Sequence, residues 1–182
     1  MPDDRFLFIK RSAGGTSLYG CWNPYWTKEK AQLVHEQGQP PLYRDFTDYV
    51  RDVLSPYSPL DYEICGLLWV QGEADSNVSR FGPVPAETYG DNLQFLIEET
   101  RRQMDEADLP FLIMQVGNGK VVEGMQRAAE TMTNVSFISQ SRNPLSSHYL
   151  SRYGPPVGHY DYKGIKRIGE LFAQEYLSRY AK

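Results

Sequence analysis

Residues 67–77 read LLWVQGEADSN. An apolar run that breaks abruptly into Gln, Gly, Glu and Asp has the pattern of a buried strand ending at a sheet edge. Extended backwards the run is YEICGLLWVQ, and Ile64 to Val70 is expected to form a central parallel strand. Upstream, FLFIK at residues 6–10 is short, apolar and bounded by charge, so it is also expected to be a buried strand. Downstream, PFLIMQV at 110–116 and VSFIS at 135–139 are two more. Between the strands, Leu42, Phe46, Tyr49, Val50 and Val53 fall at helical spacing, as do Tyr89, Leu93, Leu96 and Ile97. A third helix is expected around Met125 to Met132, and a last one over Tyr162 to Tyr180 with Ile165, Ile168, Leu171, Phe172 and Tyr176 on one face. Four alternations of strand and helix predict an α/β fold, a parallel sheet covered by helices on both faces and joined by right-handed crossovers. Such sheets bind ligands at the carboxyl ends of their strands. Gln71, Gly72, Glu73 and Asp75 therefore stand where a site is expected.

The 182 residues suit one domain spanning 1–182, with 41% hydrophobic residues to fill a core. A net charge of -4 argues against a nucleic-acid partner, because phosphate binding needs a clustered excess of Lys and Arg. The basic pair Arg101 and Arg102 is expected to decorate a helix face. Cys21 and Cys65, the only two cysteines, suggest neither a disulfide framework nor a metal site and are expected to be core thiols. No cofactor is implied. No apolar run is long enough to span a membrane, and MPDDRF is not a signal peptide. The chain as written is expected to be cytoplasmic, or secreted if a leader precedes it. Thirteen tyrosines and three tryptophans are a high aromatic load. Rings around Trp22, Tyr25 and Trp26 can stack on sugars or pack over the sheet, and composition does not choose.

Three features point to chemistry: the Gln-Gly-Glu at one strand end, the Gly14-Gly15-Thr16 turn near another, and His159 in a Gly- and Pro-rich loop before the last helix. A loop His can act as general base if an acid holds its tautomer and a nucleophile lies within reach. The blocks KRSAGGTSL, GLLWVQGEADS, LPFLIMQVG and GHYDYKGIKRIGELFA resemble, in order and approximate spacing, the sialate O-acetylesterase and acetylxylan esterase group, carbohydrate esterases of SGNH-hydrolase type. The resemblance covers nearly the whole chain, and WVQGEAD is its most specific element. It implies a three-layer α/β/α sandwich of flavodoxin-like type and hydrolysis of acetyl esters on a carbohydrate substrate. It also implies roles. His159 resembles the catalytic base, Gly14 or Gly15 a backbone oxyanion donor, and Gln71 a side-chain oxyanion donor, while Thr16, Ser17, Asp75 and Trp22 are candidates for the pocket.

Two departures qualify the resemblance. Many such hydrolases carry an Asp three residues before the His, where this chain has Pro156. Glu73 is then the expected triad acid, with Asp75 second and Asp161 third. The family's nucleophile is a serine in a Gly-Gln-Ser-Asn block at the end of a first strand, and the 182 residues contain no such block. The first strand, its helix and the nucleophile are expected to be missing, with the serine upstream of this chain. Ser12, Ser17, Ser76 and Ser79 are weak substitutes, since none follows a strand in a nucleophile-like context. Two readings stay open: an O-acetylesterase completed by an upstream serine, and a nucleophile-less short form that binds carbohydrate. In either, a missing first strand would leave an apolar sheet edge unpaired, a route to homo-oligomers.

Overall fold

The computed structural model describes residues 5–155 and 158–180. In chain order it contains α1 (Lys28–Leu33), α2 (Leu42–Leu54), β1 (Leu67–Trp69), α3 (Val78–Phe81), α4 (Val84–Glu87), α5 (Tyr89–Met104), β2 (Phe111–Met114), α6 (Gly119–Thr131), β3 (Val135–Ile138) and α7 (Tyr162–Arg179). The three strands are all parallel, in the order β1-β2-β3, with Leu68 opposite Leu112 and Leu112 opposite Ser136.

Strand alternation sorts the core into two layers. Phe111 and Ile113 of β2 join Trp69 of β1 on one face, packed against Tyr89, Leu93, Leu96 and Ile97 of α5 and Val121, Met125 and Ala128 of α6. Leu112 and Met114 point to the other face with Ile138, where Leu171 and Phe172 of α7 cover them. The result is the expected three-layer α/β/α arrangement. Helices α5 and α6 cross closely at two glycines: a Cβ on Gly124 would stand 2.7 Å from the Gly90 nitrogen.

Five expectations need correcting. Residues 6–10 form no strand, and Phe6, Leu7 and Phe8 are exposed. An apolar run gains from an extended conformation only where a neighbouring strand takes its backbone hydrogen bonds, and no strand stands beside this one among the described residues. For the same reason Ile64 to Val70 is not central: its ordered part, β1, is an edge strand. Arg101 does not decorate a surface. Its guanidinium is buried and donates to the carbonyls of Leu109 (3.2 and 3.0 Å) and Thr133 (2.7 Å), stitching α5 to the segments that lead into β2 and β3. Its neighbour Arg102 lies outside and pairs with Glu99. Finally, Cys21 is a core thiol whereas Cys65 is only half-buried, and Ile165 of α7 faces outward.

Candidate active site

The site grows from the end of β1. Gly72 can follow Gln71 only as glycine, since a Cβ there would meet Met125 and Val121 at 2.9 Å. That contact presses the QGE turn onto α6 and sends the chain round to Asp75, which is completely buried. Asp75 is a hub. Its Oδ2 accepts from Leu18 N (2.9 Å) and from Gln71 Nε2 (2.6 Å), and its Oδ1 accepts from Tyr19 N (2.9 Å). Burial pushes its carboxyl up to about 6 in spite of these donors. One carboxylate therefore ties Leu18 and Tyr19, just after the Gly-Gly-Thr segment and 57 and 56 residues away in sequence, to the strand end.

A second buried carboxylate holds the same loop from behind. Glu36 accepts from Ser17 N (2.6 Å) and Cys21 N (2.9 Å). Burial, reinforced by hydrogen bonding to Glu36, pushes the Cys21 thiol up to about 12, so it stays protonated. Gly14 and Gly15 form the exposed turn that this double clamp presents. Gly15 has φ +73, a conformation open to glycine at little cost, and neither glycine N–H donates to a protein group among the described residues.

Gln71 is fixed on every side. Besides Asp75, its amide donates to the Thr16 carbonyl at 3.2 Å. The Tyr89 hydroxyl donates to the Gln71 carbonyl oxygen at 2.6 Å, lies 3.2 Å from Oε1, and accepts from Trp69 Nε1 at 3.2 Å. Both amide hydrogens are thus engaged, the Thr16 contact being the longer.

The remaining pocket candidates form the wall behind the turn. Thr16 Oγ1 donates to the Ala13 carbonyl (2.8 Å) and accepts from Trp22 Nε1 (3.0 Å), and Ser17 Oγ accepts from Gly20 N. Trp22 is buried edge-on against Trp69, with ring centroids 5.8 Å apart. Its ring fills the core and offers no face to a sugar. Tyr25 is exposed but stacks on Phe95 at 4.5 Å.

His159 and Glu73 are both exposed. The residue after His159, Tyr160, has its phenol raised chiefly by burial, with the Arg152 guanidinium opposing and the Glu73 charge adding to the rise. Asp161 is committed elsewhere. It caps α7 by accepting from Gly164 N (2.8 Å) and takes the Ser151 hydroxyl (2.5 Å), which hold its carboxyl below the usual range. Asp75, with every donor around it internal, is a clamp on the loop. Pro156 lies outside the described residues.

Among the four serines considered, Ser17 is buried, Ser76 bridges the Gly72 carbonyl and Asn118 N, and Ser79 donates to Asn77. None of them bonds to a histidine among the described residues. Ser139, which follows β3 directly, does touch one: His148 Nδ1 lies 3.0 Å from Ser139 Oγ. The same Nδ1 is 2.9 Å from Ser139's own carbonyl, an acceptor, so Nδ1 carries the hydrogen and cannot receive the hydroxyl proton. The pair is a latch for the 139–148 loop.

A family model described as carbohydrate esterase, sialic acid-specific acetylesterase, matches residues 2–178. The chain belongs to that family. Its α/β architecture is that of the SGNH-like fold. The fold is similar to a protein from Arabidopsis thaliana whose X-ray structure was determined at 1.6 Å, with 21% sequence identity and a TM-score of 0.60. The match covers 92% of this chain and 58% of that one, so the chain spans less than two thirds of that protein's length. Among curated proteins none shows significant similarity.

Proposed function

We propose that this domain serves the hydrolysis of O-acetyl esters on sugars such as sialic acid or xylan by a Ser-His-acid mechanism. The supporting observation is the Asp75 hub, which gathers the Gly-Gly-Thr turn and Gln71 at the carboxyl end of β1. In this reading the free N–H of Gly14 or Gly15 and one N–H of Gln71 receive the oxyanion of the tetrahedral intermediate. A donor of this kind contributes about 3 to 4 kcal/mol. His159 takes the proton from the attacking hydroxyl and returns it to the leaving sugar oxygen, and Glu73 orients the imidazole. The attacking serine belongs to a Gly-Gln-Ser-Asn block that these 182 residues do not contain.

Acetate release from p-nitrophenyl acetate and from an acetylated xylo-oligosaccharide tests the assignment, with the chain compared to its His159→Ala variant. Equal, slow rates are expected, because a triad without its nucleophile loses about six orders of magnitude. Release that depends on His159 would show a nucleophile inside these residues and overturn the placement of the serine. The alternative of a carbohydrate-binding short form with an aromatic platform receives no support from Trp22, whose ring is in the core.

A further inference from the structure

The Gly117-Asn118-Gly119 segment lies just beyond β2, at the carboxyl edge of the sheet, and presses against the QGE turn. A Cβ on Gly117 would stand 2.8 Å from the Gly72 carbonyl oxygen. Asn118 N donates to Ser76 Oγ at 3.0 Å, and that hydroxyl donates to the Gly72 carbonyl at 2.8 Å. One hydroxyl therefore ties this segment to the residue that follows Gln71.

Asn118 differs from every other asparagine of the chain in two respects. Of the six, it alone precedes a glycine, whose missing Cβ leaves the peptide nitrogen open to the side chain before it. The second difference is structural. The side chains of Asn23, Asn77, Asn92, Asn134 and Asn143 are each held by a hydrogen bond. The Asn118 amide makes none among the described residues, although it stands at the N-cap of α6. Gly119 N is at the first position of that helix, where no intrahelical partner exists, and it donates to no protein group among the described residues. Both residues are exposed, and a Cβ built on Gly119 would meet nothing within 4 Å. A carboxamide and the nitrogen that can attack it are thus adjacent, unhindered and in water.

We propose that Asn118 is a site of spontaneous deamidation whose isoaspartyl product unties the QGE turn. The Gly119 nitrogen gives its proton to hydroxide and bonds to Asn118 Cγ, while the Cγ–Nδ2 bond breaks and ammonia leaves. Water then opens the cyclic imide. Cleavage at Cγ gives aspartate with the backbone unchanged, and a carboxylate suits the N-terminus of α6. Cleavage at the backbone carbonyl gives isoaspartate, whose main chain runs through Cβ and Cγ and is longer by one carbon. That extra atom lies between Asn118 N, which Ser76 holds, and α6, which is packed in the core. Gly117 fits too closely against Gly72 to absorb the change, so the Ser76 tether is lost.

Incubation of the folded chain at pH 8 followed by tryptic mass mapping reads the first step. The peptide of residues 103–120 contains no other asparagine. It is expected to gain one mass unit while the peptides holding the other five stay unchanged, and Asn118→Gln is expected to abolish the gain. Amide hydrogen exchange on the chromatographically separated products reads the second step. The Ser76 N–H, which donates to the Gly72 carbonyl at 3.0 Å, is expected to exchange roughly five- to tenfold faster in the isoaspartyl chain, the equivalent of one lost hydrogen bond. Asn118→Asp carries the new charge on an unaltered backbone and is expected to exchange there at the original rate. An Asn118 that persists in the folded chain while the urea-unfolded chain converts would overturn the proposal, as would another asparagine converting first. So would an isoaspartyl chain with unchanged exchange at Ser76, or an Asn118→Asp variant that loosens the turn equally.

Discussion

Replacing Asp75 by alanine is the sharpest perturbation of the site. It removes the acceptor of three N–H groups, those of Leu18, Tyr19 and the Gln71 side chain, around a carboxylate that is completely buried. Leaving a buried donor unpaired costs roughly 1 to 3 kcal/mol, and water entering the small space left by the carboxylate holds each near the lower limit. The expected loss at pH 8 is therefore about 3 kcal/mol, read as a fall in the urea midpoint at unchanged slope. The pH dependence supplies a second, independent reading. The folded carboxyl titrates near 6, above its ordinary value of 3.8, so between those values the folded chain binds more protons than the unfolded chain. Wild-type stability from this group is then fully present below 3.8 and is lost as pH rises through 6. The alanine variant lacks this slope, so its deficit should widen on going from pH 8 to pH 5, by about 1.4 kcal/mol for the one decade below the folded value. Amide hydrogen exchange at Leu18 and Tyr19 should quicken in step. A deficit below about 0.5 kcal/mol, the range of ordinary surface substitutions, would refute the hub. A deficit that narrows at pH 5 would refute the claim that burial outweighs the three donors.

Two more outcomes follow from packing and chemistry elsewhere. Gly124→Ala drives a Cβ to within 2.7 Å of the Gly90 nitrogen, and spreading α5 from α6 to relieve it should cost about 1 to 3 kcal/mol, seen as a lowered Tm. Titration with a thiol reagent at pH 8 should modify Cys65 promptly and leave Cys21 unreacted until urea is added, since burial and Glu36 hold Cys21 protonated up to about 12. Equal rates for the two thiols would contradict the placement of Glu36.

The strand and helix order was legible because periodicity records which side of an element meets the core. LLW, FLIM and VSFI each became parallel strands, and the apolar spacing from Leu42 to Leu54 became α2. Gln71 and the Gly-Gly-Thr turn were legible as site candidates because a polar burst after an apolar strand, and paired glycines, are local signals. The failures share one cause, which is that partners distant in sequence decide them. FLFIK reads as a strand by composition, yet a strand exists only where another chain segment takes its hydrogen bonds, and none of the described residues does so. Arg101 reads as a surface residue, but the carbonyls of Leu109 and Thr133 converge on it only in three dimensions. Asp75 reads as a pocket candidate and a second choice of triad acid, and Glu36 as one more acid in an acidic chain. Only the fold sets them on either side of residues 17–21 and makes each the acceptor of that loop's N–H groups. What the sequence determined by itself is the apolar pattern, the turn chemistry and the residue types at the strand ends. What tertiary structure decided is which polar groups lose water together, because burial turns an ordinary carboxylate into the fixed point of a site.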